Sequence, residues 1–182
     1  MLKVGISGKI ASGKSEVEKF IQQSGFLVFD LDVISHELLE KDEKVKTQVL
    51  NEFKTLKRKE LSKIIFNDEN KKQMLEKIIH SKLREIIFEI FEKHKNERAI
   101  FISGALLFKS DFYKYFDKTI FVNADENIRL LRLMKRNNLS KSEAQKLLNL
   151  QDDGELADYI IENNSDILNL EYNTKKVLEE IF

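Results

Sequence analysis

Eight consecutive residues, Gly8-Lys9-Ile10-Ala11-Ser12-Gly13-Lys14-Ser15, form a complete G-x-x-x-x-G-K-[ST] pattern. A polyphosphate is a dense cluster of negative charge and acceptor oxygens, and this pattern carries what such a ligand needs. Glycines at Gly8 and Gly13 open backbone conformations closed to other residues. The loop's N–H groups then converge on one anion as a nest. A helix starting near Gly13 adds unpaired N–H groups and the positive end of its dipole. Lys14 would reach the β- and γ-phosphates, and the Ser15 hydroxyl would hold Mg²⁺. The flanks agree. Leu2-Lys3-Val4-Gly5-Ile6-Ser7 reads as a buried strand, and Val17, Phe20 and Ile21 repeat at helical spacing behind the loop. The alternative for such a stretch is a glycine-rich turn between strand and helix; the agreement of all four fixed positions and both flanks favours the nucleotide.

Two further groups could do chemistry. Asp30 and Asp32 close the second strand, at the sheet edge that faces the ligand crevice in open α/β folds. A carboxylate there can take a proton from a substrate hydroxyl or orient a magnesium-bound water. Asp32 could equally cap a helix beginning at Val33, and Asp30 could be a loop residue. Arg129, Arg132 and Arg136 fall at i, i+3 and i+7, so one helix face can present all three to a transferring phosphoryl group. A solvated face, or pairing with Asp125 and Glu126, is the plainer reading. His80 sits at the edge of an apolar helical stripe and reads as a partly buried structural residue, while His36 and His94 read as surface. The three histidines show no metal-ligand spacing.

Positioning these groups requires a parallel α/β framework. Phe26-Leu27-Val28-Phe29 reads as the second strand, Ala99–Ser103 as the third, Thr119–Asn123 as the fourth and Asp158–Glu162 as the fifth. Gly25 ends the first helix, and a short helix spans about 33–39. From Asp42 to His94 the pattern is almost wholly helical. The longest helix runs from about Glu69 to Lys93, where Met74, Leu75, Ile78, Ile79, Leu83, Ile86, Ile87, Ile90 and Phe91 make one apolar stripe. Leu106, Leu107 and Phe108 form a short apolar helix or turn. Helices follow at about 126–136 and 141–150, the second opened by a capping box of Ser140 and Glu143. A last amphipathic helix carries Ile167, Leu170, Val177, Leu178 and Ile181. Strands alternating with helices imply an α/β fold of the P-loop NTPase type: three α/β/α layers around a five-stranded parallel sheet.

Composition narrows the class. The 182 residues fit one domain, and 42% hydrophobic content can build a core. Charged residues make up 34%, but the two signs cancel, which argues against a nucleic-acid partner. Without cysteine there are no disulfides and no thiolate metal site, which suits the cytoplasm. No signal peptide and no membrane span are expected. The guanine-reading Asn-Lys-x-Asp motif is absent. The third strand ends in Ser103-Gly104 rather than an acid, so magnesium would depend on Ser15, phosphates, water and Asp32.

Over nearly its whole length the chain resembles the dephospho-CoA kinase family. The resemblance rests on an ordered set: Lys9-Ile10-Ala11-Ser12-Gly13-Lys14-Ser15; Asp30-Leu31-Asp32 where the family has Asp-Ala-Asp; Arg58-Lys59-Glu60-Leu61 with Ile65-Phe66; Leu75-Glu76 and His80-Ser81; Ala105-Leu106-Leu107-Phe108-Lys109; and Arg132, Arg136, Gln151 and Ala157-Asp158-Tyr159-Ile160-Ile161-Glu162-Asn163. Departures from the family pattern are Glu16 after the loop serine, Ser81 and Ala105 in place of prolines, Lys109 for a Glu, and Arg129 for a Gln. The stretch from Lys41 to Thr55 is shorter than usual.

The resemblance implies Mg²⁺- and ATP-dependent phosphorylation of the ribose 3′-hydroxyl of dephospho-CoA, the last step of coenzyme A synthesis. Carried over by position, Asp32 is the general base, and Lys14, Arg132 and Arg136 stabilise the transferring group. ATP is held by Gly8, Ala11, Ser12, Gly13, Lys14, Ser15 and Glu16, with Ser15 on the metal. Dephospho-CoA is held by Arg58, His80, Leu106, Leu107 and Phe108. The implied domain has a core of residues 1–40, 97–125 and 155–182, a helical acceptor-binding subdomain at about 41–96 and a lid at about 126–154. It would act as a cytoplasmic monomer, an oligomer being the other possibility, without nucleic acid or membrane. Two other readings use the same loop. One is a P-loop kinase for a nucleoside monophosphate or another alcohol, and the other is a nucleotide-binding protein without catalysis.

Overall fold

The apolar runs become five strands: β1 (Leu2–Gly8), β2 (Leu27–Asp30), β3 (Ala99–Ser103), β4 (Lys118–Asn123) and β5 (Tyr159–Glu162). Among the described residues eight α-helices join them: α1 (Lys14–Gln23), α2 (Leu31–Lys41), α3 (Glu43–Phe53), α4 (Arg58–Asn67), α5 (Glu69–Lys93), α6 (Glu126–Asn137), α7 (Lys141–Leu148) and α8 (Ile167–Ile181), with a short 3-10 turn at Phe112–Tyr115. The computed structural model describes residues 1–105, 107–148, 154 and 156–182. The expected end of α7 at Asn149 and Leu150 lies outside them.

All pairings are parallel, in the order β2-β3-β1-β4-β5. Central position explains why β3 reads as a continuous apolar run: all five of its residues are buried. Val4 of β1 is in register with Phe101 of β3 and with Lys118 of β4. The carboxyl end of β1 therefore opens between β3 and β4, and the chain leaves it there into the glycine loop.

Two compact units make up the chain. The first comprises Met1–Asp30 and Lys95–Phe182 and the second Leu31–His94. In the first, Val17 and Ile21 of α1 and Leu170, Val177 and Leu178 of α8 pack with Val4, Ile6, Phe101, Ile120, Val122 and Ile161 of the sheet. A smaller cluster joins Leu130 and Leu133 of α6 to Ala144 and Leu148 of α7. The capping box of α7 is formed: Ser140 N donates to Glu143 Oε2 at 2.9 Å, and Glu143 N donates to Ser140 Oγ at 3.3 Å. Asp166 caps α8 by accepting from Asn169 N at 2.9 Å. Because α8 supplies part of the sheet's cover, Asp166→Ala is expected to lower unfolding free energy by about 1 kcal/mol in urea denaturation.

The second unit has helices as its only regular elements, with a short connection at 54–57. Asp42 caps α3, accepting from Val45 N at 2.9 Å, and pairs with Lys82 of α5 at 3.4 Å. The backbone hydrogen bond, aided by Lys82 and opposed by burial, holds the Asp42 carboxyl below its usual pKa. Glu52 of α3 and Lys71 of α5 form a second ion pair between the same helices. Along α5 the buried positions are Leu83, Ile87 and Phe91, whereas Met74 and Phe88 are exposed. The stripe that buries is thus narrower than the apolar pattern in the sequence.

Candidate phosphate-binding and acceptor sites

The glycine loop is tied down at both ends. Lys9 N donates to Val122 O of β4 at 3.1 Å, and Ser12 N donates back to Lys9 O at 3.0 Å. Gly13 is the N-cap of α1 at φ 101°, a left-handed conformation that favours glycine. Gly8 has no positive φ. Its requirement is clearance, since a Cβ there would lie 2.7 Å from Val122 O and 3.0 Å from Ser12 Oγ. The expectation that both glycines supply unusual conformations is therefore corrected. The second left-handed residue of the loop is Ala11, at φ 62°.

Lys14 opens α1. Its Nζ donates to Glu18 Oε1 at 2.8 Å and to Ser103 Oγ at 3.1 Å. Glu18 is buried one turn along the same helix, and Ser103 is fully buried at the end of β3. A hydroxyl thus stands where many P-loop proteins have an acid on that strand. Glu16 turns outward to Lys19, 2.7 Å away, and its N–H closes on Gly13 O at 2.9 Å. The extra carboxylate beside the loop is in this way engaged by a lysine on the exposed side of α1.

The three arginines of α6 separate. Arg129 is only 4% exposed, and its Nε donates to Ala124 O at 2.8 Å. Burial lowers its pKa, with Glu126 acting in the opposite sense. Arg132 Nη2 donates to Asn163 O and Oδ1 at 3.2 and 3.3 Å. Arg136 is exposed, its Nε on Asn137 Oδ1 at 2.8 Å. The expected common face for all three does not form, because Arg129 turns inward to the carbonyl just before its own helix. Arg132 Nη1 and Ser12 Oγ are buried with no hydrogen-bond partner among the described residues. Buried polar atoms in this state gain from a phosphate oxygen, so the loop and α6 fit a polyphosphate.

In the helical unit, α2 starts at Leu31, so Asp32 lies in the first turn rather than at the N-cap. That removes the capping explanation for Asp32. A first-turn carboxylate is favoured by the helix dipole, and Asp32 is half-buried. Asp32, His36 and Glu40 fall at i, i+4 and i+8, one stripe of α2. Arg58 meets that stripe: its Nη2 donates to His36 O at 2.9 Å and to Glu40 Oε1 at 3.0 Å. Asp30 ends β2 in the first unit, in register with Ser103.

His80 is half-buried on α5. Burial, with a smaller contribution from Arg84, lowers its pKa, and Glu76 opposes the shift. A depressed folded pKa means the unfolded chain binds the proton first. Stability is therefore present above pH 6.5 and falls as the pH drops through the folded value. His80→Gln should flatten the decline in Tm between about pH 7 and pH 5 in a buffer series. An unchanged slope would remove His80 as its source.

Leu107 and Phe108 are buried in the first unit, where the Phe108 ring contacts Tyr113 and Phe121 at centroid distances of 5.4 and 6.0 Å. They anchor the turn after β3. Leu106 and Gln151 lie outside the described residues. Among the described residues no group of three or more His, Cys, Asp or Glu is set to hold a metal ion. Ser15 lies in the first turn of α1, and its hydroxyl has the chemistry that could hold a hard cation. No helix among the described residues is long and apolar enough to cross a membrane.

The sequence names Ser103 only as a strand end without an acid and Asn163 only as the close of the family pattern, with no contact assigned to either, and does not point to Glu18. The spacing of Lys14 and Glu18, four apart on one helix, was the available signal for Glu18. The other two contacts join segments distant in sequence.

Comparison with known proteins gives a consistent set. A model of the family described as "Dephospho-CoA kinase" matches residues 2–169. The dephospho-CoA kinase of Oceanobacillus iheyensis is 34% identical, the match covering 98% of this chain and 97% of that protein. A crystal structure of TT1252 from Thermus thermophilus superposes with a TM-score of 0.84 at 28% identity, covering 100% of this chain and 98% of that one. A dephospho-CoA kinase structure from Campylobacter jejuni gives 0.70, also at 28% identity, covering 98% and 96%.

Proposed function

The chain belongs to the dephospho-CoA kinase family of ATP-dependent phosphotransferases, and from that premise we propose how its own residues move the ATP γ-phosphoryl group to the ribose 3′-hydroxyl of dephospho-CoA. The observation that carries the reading is the complete phosphate loop, with Lys14 at the head of α1 and buried polar atoms of Ser12 and Arg132 awaiting partners.

The loop from Gly8 to Ser15 surrounds the phosphates, with main-chain N–H groups such as those of Ala11, Gly13 and Ser15 and with the Ser12 hydroxyl, while the N–H groups of Lys9, Ser12 and Glu16 hold the loop and the first turn of α1 in shape. Lys14 moves from Glu18 and Ser103 onto the β- and γ-oxygens. Arg132 and Arg136 offset the charge that builds on the transferring group. Ser15 would hold Mg²⁺ through its hydroxyl, and the ion would supply charge neutralisation on the phosphates. Asp32 accepts the proton of the 3′-hydroxyl as its oxygen attacks. Arg58 pairs with acceptor phosphate. Neutral His80 offers both a donor and an acceptor to the acceptor's polar groups. Leu107 and Phe108, after β3, border the acceptor together with Leu106, which lies outside the described residues.

Residues from about 41 to 96 serve as the acceptor-binding subdomain and those from about 126 to 154 as the lid, of which 149–153 lie outside the described residues. The enzyme works as a cytoplasmic monomer. An acceptor panel tests the reading. With ATP and Mg²⁺, ADP should appear with dephospho-CoA and not with nucleoside monophosphates, shikimate or water alone. Preference for a nucleoside monophosphate would replace dephospho-CoA as the acceptor, and ATP binding without turnover would leave a nucleotide-binding protein.

A further inference from the structure

Asn163 follows β5 and is 5% exposed, yet every polar group it carries is used. Its Nδ2 donates to Ser12 O at 2.7 Å, inside the glycine loop and 151 residues away. Its backbone N donates to Asn123 O of β4 at 2.9 Å. Its carbonyl and Oδ1 both accept from Arg132 Nη2. One side chain thus spans the loop and the arginine. Nothing else in the mechanism above makes use of it.

The Ser12–Gly13 peptide is rigid, so fixing its carbonyl fixes the direction of the Gly13 N–H on the opposite side. The same bond sits where a Gly13 Cβ would come, 2.2 Å from Asn163 Nδ2. Glycine at position 13 is therefore required twice, for its left-handed φ and for the approach of this amide. By holding Nη2, Asn163 also leaves Arg132 Nη1 as the atom without a partner.

We propose that Asn163 is a positioning residue: it aims the loop's N–H groups at the triphosphate and fixes Arg132 beside them, so that both grip the ligand as one unit. This deepens the kinase reading and rests on it for the reaction. The loop claim itself concerns polyphosphate binding alone.

Calorimetric binding of ATP and of inorganic tripolyphosphate tests it on the full chain, alongside KM and kcat with dephospho-CoA. Asn163→Leu keeps the branching and heavy-atom count of the side chain and removes its bonds to Ser12 O and, through Oδ1, to Arg132, while the main-chain carbonyl still accepts from Arg132 Nη2. Affinity for ATP and for tripolyphosphate should fall by the same factor, about tenfold or more, with the KM for dephospho-CoA within about twofold of the parent. Asn163→Ser, smaller and unable to reach Ser12 O, should change both affinities in the same direction and carries the test if the leucine variant does not fold. With Arg132→Ala, Asn163→Leu should cost much less than the product of the single effects.

Unchanged tripolyphosphate binding with weaker ATP binding would place Asn163 on the nucleoside and overturn the proposal. A lower Tm with both affinities intact would reduce it to a structural residue, and multiplicative effects with Arg132→Ala would remove the coupling. A parent protein that binds tripolyphosphate but phosphorylates no dephospho-CoA would sink the kinase reading while leaving the loop result to stand.

Discussion

Asp32→Asn should lower kcat by about 10²–10⁴-fold while ATP and dephospho-CoA still bind, because an amide cannot take the hydroxyl proton. The change is nearly isosteric, and it keeps Asp32's place in the first turn of α2. It removes a favourable charge from the helix N-terminus, at a cost of about 0.3–1 kcal/mol, too little to unfold the unit. A pH profile adds discrimination. If Asp32 is the base, the acid limb of kcat/KM belongs to its carboxyl and should vanish in the variant. Equal turnover by parent and variant would reject the assignment.

Lys14→Met should cost at least about 10²–10³-fold in turnover, the usual effect of losing one donor to a developing charge. It should also destabilise the folded chain. Lys14 and Glu18 are paired at 2.8 Å with side chains only 14% and 12% exposed. Removing the cation strands a largely buried carboxylate, which costs about 3 kcal/mol when some solvent still reaches it. Lys14→Met with Glu18→Gln should recover much of the Tm and none of the activity. Thermal melts and turnover of the two variants therefore separate the lysine's structural part from its chemical one. Recovery of activity in the double variant would contradict the role given to Lys14.

What the sequence disclosed follows from how the elements are buried. Strands β1, β3 and β4 lie inside a parallel sheet, so Val4, Ile6, Phe101, Ile102, Ile120 and Val122 form runs that only a strand accounts for. The bounds of α5 were legible because Asp68 caps it and an apolar pattern sustains it over 25 residues. The start of α2 was not legible, since Asp30-Leu31-Asp32 carries turn residues while the chain passes straight from strand to helix. Nor was the inward turn of Arg129, because helical spacing assigns a face but not which side chain a nearby carbonyl will capture. Long-range polar contacts leave no periodic trace: Ser103 meets Lys14 across 89 residues and Asn163 meets Ser12 across 151. The loop between strand and helix was readable in eight letters, whereas Val122 and Asn163, which bond its backbone, lie far along the chain.

Phosphorus NMR of the product tests the central claim most directly. With ATP, Mg²⁺ and dephospho-CoA, one new phosphomonoester should appear at the ribose 3′-oxygen, in step with ADP and without free phosphate. Release of ADP with inorganic phosphate, or a phosphoester at any other oxygen, would contradict the account.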